Sequence, residues 1–419
     1  MLRLATTLFV VAGMWQVTQA RTWEVRPVQN AHPLRDAIAA AGAGDTVHVH
    51  AGTYREGVIH LDRPIVLSGI DRPLVDGEGA GDVIIVSASH VTIEGIEVRG
   101  TQVSNMNDNA GIRADECQFL VVRNVRVIDC FFGIHLAGVT SSLIEGNEVF
   151  GRIDEEEDRK ANGIHLWKCS RDTVRNNHVS GHRDGIYFEF VQDSRVDGNT
   201  SEDNARYGLH FMFSHHDHYT HNEFRDNGAG VAVMFSHDVE MTDNRFLRNR
   251  GASAYGLLLK EINDVTMERN EFRDNTSGLF MDGCNRVVAT DNTFISNGWA
   301  LRMFANTMST TFQGNSFTGN TFDVTTNGDM AANTVDGNYW DRYRGYDLDR
   351  NGTGDVPHRP LSLFASLLER TPYAVILSRS LLVQLLDVVE RLLPSVSSVS
   401  LVDEHPLMRP PDDGDDSRS

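Results

Sequence analysis

Several common features are scarce in this 419-residue chain, and each scarcity removes a class of protein. Basic residues are outnumbered, with 38 lysines and arginines against 58 aspartates and glutamates and a formal net charge of −20. Because nucleic-acid binding needs a basic stripe, this balance argues against a nucleic-acid partner. The apolar runs near the two chain ends are too short or too interrupted by charges to span a bilayer. Repeats dominated by leucine, with a helical half, are also missing, which argues against a leucine-rich repeat protein.

Cysteine is scarce as well, although the N-terminus predicts export. Arg3, the apolar run Leu4–Gly13 and the small residues Thr18 and Ala20 are typical of a secretory signal peptide over residues 1–20, cut after Ala20. An exported protein meets an oxidising compartment, yet the spacing of the cysteines in the repeat described below keeps them beyond disulfide reach. We therefore expect four small buried thiols, at Cys117, Cys130, Cys169 and Cys284.

A repeat of about 22 residues runs from Ile93 to Trp340. Each unit carries a Gly-Ile-like pair and an asparagine followed two residues later by an apolar residue, as in Asn222-x-Phe224, and a second asparagine five positions on, as at Asn227. Short strands and turns at this period predict a solenoid, in which inward asparagine amides of successive coils bond to one another. The sequence predicts an all-β fold, a single-stranded right-handed parallel β-helix of the pectin-lyase-like kind with 11–12 coils over residues 21–341.

Both ends of the solenoid carry segments of a different character. Pro33–Ala41 predicts a short amphipathic helix that caps the open first coil. At the other end we expect a closing loop over 342–360, amphipathic helices over 361–394 and a flexible acidic tail over 395–419. The helices suit either an end cap or a dock for a membrane partner. The closing loop is an Asx-rich turn whose spacing partly matches a calcium loop, with candidate ligands Asp347, Asp349, Asn351 and Asp355.

Alternation along each coil separates interior from exterior side chains. The first and third residues after the repeat glycine should point inward and the second and fourth outward. The outward columns contain histidine, methionine and aromatic residues where ordinary polar surface is expected. They predict an interaction face that includes His135, His165, Trp167, Tyr187 and Glu189.

The segment Tyr207–Tyr219 predicts a soft-metal site on this face. His210 and Met212 share one side of the strand. The other side should hold Leu209, Phe211 and Phe213. Met234 falls one coil above Met212, about 4.8 Å away, and two thioethers with one imidazole suit Cu(I). The next turn adds two further candidate ligands, His215 and His216.

Two alternatives remain open for the same face. A carbohydrate-binding or polysaccharide-processing β-helix would use aromatic side chains with a pair of carboxylates, but Glu189 has no acidic partner nearby and Asp282 lies several coils away. A scaffold could instead bind a client protein through the aromatic side chains with no metal. The missing carboxylate pair disfavours the polysaccharide-processing enzyme.

Several strings resemble the NosD family of nitrous-oxide reductase maturation proteins. They are DGIYFEF at 184–190, YGLHFMFSHHD at 207–217, GVAVMFS at 230–236, YGLLLKE at 255–261, NGWAL at 297–301 and GDVPHRP at 354–360. The resemblance implies a periplasmic protein, soluble but associated with the membrane through an ABC permease and its ATPase. It implies an assembly factor without catalytic turnover, which receives copper from a lipoprotein chaperone and passes it to nitrous-oxide reductase. The helices over 361–394 would then dock to the permease.

Overall fold

The computed structural model describes residues 20–104, 106–152, 159–361 and 401–411. In this part the chain is a parallel β-helix whose successive coils build three parallel sheets of 14, 13 and 12 strands, so the predicted fold class is confirmed. The predicted count of 11–12 coils is too low, since the longest sheet has 14 strands. The count is low because the coils before Ile93, although inside the predicted range, carry strands without the asparagine repeat.

The three sheets run the length of the solenoid and consist of short strands. Sheet 1 contains Thr22–Val25, Thr46–His50, Val66–Ile70, Thr92–Glu94, Val121–Arg123, Leu143–Glu145, Thr173–Arg175, Arg195–Asp197, His215–Thr220, His237–Thr242, Asn263–Glu268, Asn285–Thr290, Thr311–Gln313 and Thr334–Asp336. Sheet 2 contains Thr53–Tyr54, Leu74–Asp76, Glu97–Arg99, Arg126–Ile128, Glu148–Phe150, His178–Ser180, Thr200–Glu202, Glu223–Arg225, Arg245–Leu247, Glu271–Arg273, Thr293–Ile295, Ser316–Thr318 and Tyr339–Trp340. Sheet 3 contains Ile59–Leu61, Ile84–Val86, Ala110–Asp115, Phe132–Ala137, Ile164–Trp167, Asp184–Glu189, Tyr207–Met212, Ala229–Met234, Tyr255–Lys260, Ser277–Asp282, Trp299–Met303 and Phe322–Thr326.

The predicted cap helix is present as α1, Pro33–Ala40. Its first residue is a proline, which lacks the N–H that a helix start leaves unpaired. The Glu56 carboxylate of a neighbouring coil accepts the N–H groups of Leu34 and Arg35 at 3.2 and 2.9 Å. Leu34 and Ile38, one turn apart, are buried against the first coils. The helix therefore covers the end of the core that would otherwise face solvent.

Two asparagine ladders hold successive coils together, as the repeat predicts. The Asn222 amide nitrogen donates to Asn244 Oδ1 at 2.9 Å and to the Val196 carbonyl at 2.8 Å, while its oxygen accepts from the Asn199 amide and backbone N–H groups. The second ladder repeats this pattern through the bond from Asn204 to Asn227. Each buried amide thus satisfies both donors and acceptors, which an apolar interior otherwise penalises.

Aromatic rings and glycines complete the repeat. Phenylalanines stack along the core, with centroids 4.7 Å apart from Phe246 to Phe272 and again from Phe272 to Phe294. The repeat glycine is needed because neighbouring coils approach closely there. A Cβ on Gly133 would lie only 2.4 Å from the Gly163 carbonyl oxygen. The repeat therefore encodes packing at full interior density.

The last described residues correct the predicted flexible tail. Residues 401–411 lie on the final coil, where Leu401 and Asp403 are buried. Asp403 accepts hydrogen bonds from the Asn338 backbone at 3.0 Å and from Trp340 Nε1 at 2.8 Å, and it ends the first asparagine ladder. This role is not visible in the sequence, because the segment is of low hydrophobicity and its partners are 63–65 residues away.

Other predicted terminal segments lie outside the described residues. These are residues 1–19 of the signal peptide, 362–394 of the C-terminal helices, and the remaining tail at 395–400 and 412–419. Across the described ranges, no helix is long and apolar enough to cross a membrane.

The cysteines and the closing loop follow the expected chemistry. All four cysteines fall within the described residues, and each is a buried free thiol. In the closing loop, Asp347 accepts backbone N–H groups of Asn351 and Gly352, and Asp355 accepts that of Leu348. The loop is therefore held as an Asx-rich turn by its own carboxylates.

Candidate metal-binding face

Two columns of outward side chains on sheet 3 form the candidate face, and their predicted order is confirmed by the strand register. In one column His135, His165, Tyr187 and His210 occupy equivalent positions on successive coils. In the other column the order is Trp167, Glu189, Met212, Met234 and Lys260. Their inward neighbours, such as Leu209 and Phe211, are fully buried in the core.

The histidine column is buried, which corrects the expectation of an exposed face. His135, His165 and His210 are only 5%, 8% and 6% exposed, although they lie on the outer side of the sheet. Their rings are covered by neighbouring rings, with centroids 4.8 Å apart for His135 and His165 and 4.7 Å for Tyr187 and His210. Burial lowers the pKa of His135 and lowers that of His165 further, so both imidazoles are neutral near pH 7.

Several of these rings have ligand nitrogens to offer. His135 Nδ1, both ring nitrogens of His165 and His210 Nε2 are buried and have no hydrogen-bond partner among the described residues. His210 Nδ1 faces the buried Asp184 carboxylate at 3.6 Å and the Arg206 guanidinium at 3.5 Å. A carboxylate behind one imidazole nitrogen is the arrangement that prepares the other nitrogen for a metal ion.

Asp184 is held as a carboxylate despite its burial. Burial by itself raises the pKa of Asp184, but the hydrogen bond from Arg206 and the contact with His210 bring it below the usual range. Arg206 and His210 therefore share one buried negative charge.

Met212 and Met234 are adjacent, as predicted. They are register partners at the ends of neighbouring strands and both are half-buried. Burial raises the pKa of Tyr187 to about 12, so its hydroxyl remains protonated and donates to Met212 Sδ at 3.6 Å. Lys260 follows Met234 in the column and brings a positive charge to its upper end. Two thioethers with a nearby imidazole form a donor set suited to Cu(I).

A second group of ligand side chains lies at the corner where the chain enters sheet 1, in the first two residues of the strands His215–Thr220 and His237–Thr242. His216, His237 and Asp238 place one ligand atom each within 4.8 Å of the others. His215 stacks on His237 with centroids 3.9 Å apart. The sequence pointed to His215 and His216 but missed His237 and Asp238. Their position 22 residues later, one repeat from His215 and His216, was the available signal.

The corner also carries an exposed aromatic stack, and here Phe213 corrects the prediction that it points inward. Phe213 is 36% exposed and has a left-handed φ of 49° in the turn after Met212. It stacks between Phe190 and Phe235 at 5.2 Å to each. Strand alternation fails here because the strand ends at Met212. The stack lies between the methionine pair and the corner histidines.

The remaining members of the interaction face give little support for catalysis on a sugar. Trp167 is 38% exposed and is covered by Lys168, whose Nζ lies 4.2 Å from the ring centroid. Within the described column, Glu189 and Asp282 are four coils apart, about 19 Å at the usual strand spacing. Paired carboxylates of glycosidases are roughly 5–9.5 Å apart.

Comparison with known proteins relates the chain to one family. Residues 151–345, which include the whole candidate face from His165 onward, match the family described as periplasmic copper-binding protein (NosD). A protein of Stutzerimonas stutzeri named "Probable ABC transporter binding protein NosD" is 28% identical over 416 residues, covering 86% of each chain. The protein of the same name from Pseudomonas aeruginosa is 29% identical over 381 residues, covering 86% of this chain and 87% of the relative.

Solved structures with a similar fold are more distant in sequence. The A-module of the mannuronan C-5 epimerase AlgE6 from Azotobacter vinelandii has a TM-score of 0.62 at 16% identity, covering 73% of this chain and 93% of the module. The catalytic unit of an alpha-1,3-glucanase from Streptomyces thermodiastaticus has a TM-score of 0.61 at 17% identity, covering 76% and 69%. At these identities the likeness shows the β-helix fold alone.

Proposed function

Because the chain is a relative of the NosD family, we propose that it is a periplasmic copper-binding accessory protein that works with an ABC transporter and has no catalytic turnover. Copper is its cargo. We further propose that it passes copper to nitrous-oxide reductase after receiving the ion from a lipoprotein chaperone, as the family resemblance implies. ATP hydrolysis belongs to the partner ATPase.

The observation that carries the proposal is the methionine pair on the outer side of sheet 3. Met212 and Met234 are register partners on strands about 4.8 Å apart. Thioether sulfur is a soft ligand that prefers Cu(I) over calcium, magnesium or zinc. Half-burial keeps the sulfurs reachable while it limits competition from water.

His210 supplies the third ligand in this proposal. It precedes Met212 by two residues on the same side of the strand, and its Nε2 has no partner in the described structure. An unpaired buried nitrogen costs about 1–3 kcal/mol, which a bound ion would relieve. The corner residues extend the proposed copper route, with His216 as a ligand and His215 holding the neighbouring His237 ring in place.

The test is an anaerobic Cu(I) titration of the mature protein in competition with a chromogenic chelator. The Met212→Ala, Met234→Ala double variant should bind at least about tenfold more weakly, since about 1.4 kcal/mol of lost ligand energy suffices for that change. Met308→Ala, which removes an exposed methionine elsewhere, should leave the affinity unchanged. Equal Cu(I) affinity of the double variant and the wild type would refute the assignment.

The proposed link to the transporter has its own test. We propose that residues 361–394 dock to the permease, because the amphipathic pattern of that part of the sequence suits a membrane partner. Internal deletion of residues 362–394 should abolish co-purification with the permease while Cu(I) binding persists. Undiminished co-purification would assign the permease contact to another surface.

A further inference from the structure

The corner between sheets 3 and 1 contains a cluster of nitrogen and oxygen ligands separate from the methionine pair. His216 and Asp238 occupy equivalent positions on successive coils, with left-handed φ angles of 58° and 54°. His215 and His237 are register partners directly before them. The cluster is therefore fixed by the backbone stacking of two coils, with no long loop involved.

The geometry of three side chains suits one shared ion. The candidate ligand atoms of His216, His237 and Asp238 all lie within 4.8 Å of one another. Ligands about 2.0–2.2 Å from a metal ion are roughly 3–4 Å apart, so a small rotamer adjustment closes the site. Such adjustment is available because His216 and Asp238 are exposed and His237 is half-buried.

His215 holds one ligand in place. Its ring stacks on His237 with an interplanar angle of 11°, and its Nδ1 accepts the His237 backbone N–H at 3.2 Å. Since Nδ1 accepts, the neutral ring carries its proton on Nε2 and has no lone pair left for a metal ion. His215 is thus a positioning residue for His237.

Negative charge surrounds the cluster. His216 lies between two carboxylates, with Nδ1 3.7 Å from Asp193 and Nε2 3.4 Å from Asp238. A neighbouring groove of about 520 Å³ is lined in part by His216, Asp238 and Glu240. Arg286, which also lines that groove, is paired with Asp264 at 2.6 Å. The carboxylates of Asp238 and Glu240 instead meet imidazole nitrogens, His237 Nδ1 at 2.7 Å and His218 Nδ1 at 2.8 Å, so the negative charge near the cluster is shared with histidines that a cation can displace or recruit.

We propose that His216, His237 and Asp238 bind a divalent cation of borderline softness, Cu(II) or Zn(II), at a site distinct from the Cu(I) methionine pair. Two imidazoles and one carboxylate are a donor set for such ions, whereas Cu(I) prefers sulfur and calcium prefers oxygen alone. The choice of Cu(II) as one of the ions rests on the proposed copper function, whereas the assignment of the three ligands does not depend on that function.

The test is calorimetric titration of the mature protein with Zn(II), and in a second arm with Cu(II) buffered by glycine. His237→Gln and Asp238→Asn should each weaken binding at least about tenfold. Asp264→Asn is the matched control, because Asp264 has the same left-handed conformation one coil further on but is paired with Arg286. The Zn(II) and Cu(II) affinities of the Asp264→Asn variant should stay within about twofold of those of the wild type.

Further arms separate this site from the methionine pair. The Met212→Ala, Met234→Ala double variant should retain full Zn(II) affinity even if the Cu(I) proposal fails. The Cu(II) electron paramagnetic resonance spectrum should show two nitrogen ligands. His215→Phe, which keeps the ring stack, should weaken Cu(II) binding without changing that nitrogen pattern.

Two outcomes would overturn the proposal. One is a wild-type protein that binds neither ion at about 0.1 mM, a concentration at which only an interaction stronger than about 5 kcal/mol is seen. The other is equal loss of affinity in Asp238→Asn and Asp264→Asn, which would reduce the cluster to a surface ion-pair ladder.

Discussion

Replacing Asp172 by asparagine should make the protein more stable at pH 8 relative to the wild type. Asp172 is buried inside the solenoid, where one carboxylate oxygen accepts the Ser142 backbone N–H at 2.8 Å. The other oxygen is buried with no partner in the described part of the chain. Burial raises the pKa of Asp172 from 3.8 to about 7, so folding favours its neutral form.

The sign and size of the effect follow from proton linkage. The raised pKa means that the folded state binds more protons than the unfolded state between pH 3.8 and about 7. The stability contributed by Asp172 is therefore complete below pH 3.8 and is lost as the pH rises to about 7. This pKa difference corresponds to at most about 4 kcal/mol, at about 1.4 kcal/mol for each pH unit. Asparagine keeps the oxygen that Ser142 needs and does not titrate.

Thermal unfolding of wild type and Asp172→Asn, followed by circular dichroism from pH 4 to pH 9, measures this difference. The difference in melting temperature between the variant and the wild type should change in favour of the variant up to about pH 7 and then become constant. Asp264→Asn is the control, because the hydrogen bond from Arg286 lowers the pKa of the exposed Asp264 carboxyl. The Asp264 carboxyl is then ionised above pH 5 in both the folded and the unfolded state, so the difference in melting temperature between Asp264→Asn and the wild type should not vary above that pH. A constant difference for Asp172→Asn would refute the reasoning.

Three further predictions concern the interior. Asn222→Leu should destabilise the protein by at least about 3 kcal/mol in urea unfolding, since the Val196 carbonyl and two donors of Asn199 lose their partner. Asp403→Ala should lower the melting temperature and increase the exposure of Trp340 to a fluorescence quencher, whereas a variant with wild-type values would show that residues 401–411 do not close the end. No cysteine should react with a thiol reagent until the protein unfolds, because burial raises each thiol pKa to about 11 or 12. Rapid labelling of the native protein would contradict the burial of Cys117, Cys130, Cys169 and Cys284.

Periodicity made much of the architecture readable from the sequence. The 22-residue spacing of asparagine and glycine is a local signal, and each repeat imposes the same constraint on its neighbours. From that spacing followed the β-helix, the ladder around Asn222 and the pairing of Met212 with Met234. The count of coils failed where the first coils lack asparagine, since strands there depend on partners in the next coil.

Only the tertiary structure decided which side chains are buried and which residues of different coils come into contact. Alternation fixed the side of the sheet on which His135, His165 and His210 lie, but their burial depends on rings stacked from other coils. Asp403 accepts a hydrogen bond from Trp340, which is 63 residues away in the sequence, and no local sequence pattern predicts a contact over that separation.

The metal-binding face shows both contributions. By itself the sequence determined which soft ligands share a column, because strand period and repeat length fix their register. The structure decided that His237 and Asp238 join His216, since the parallel pairing of two sheet 1 strands places their first residues side by side at one corner. A ligand set depends on distances of a few ångströms between coils, and those are set by packing rather than by the order of residues in the chain.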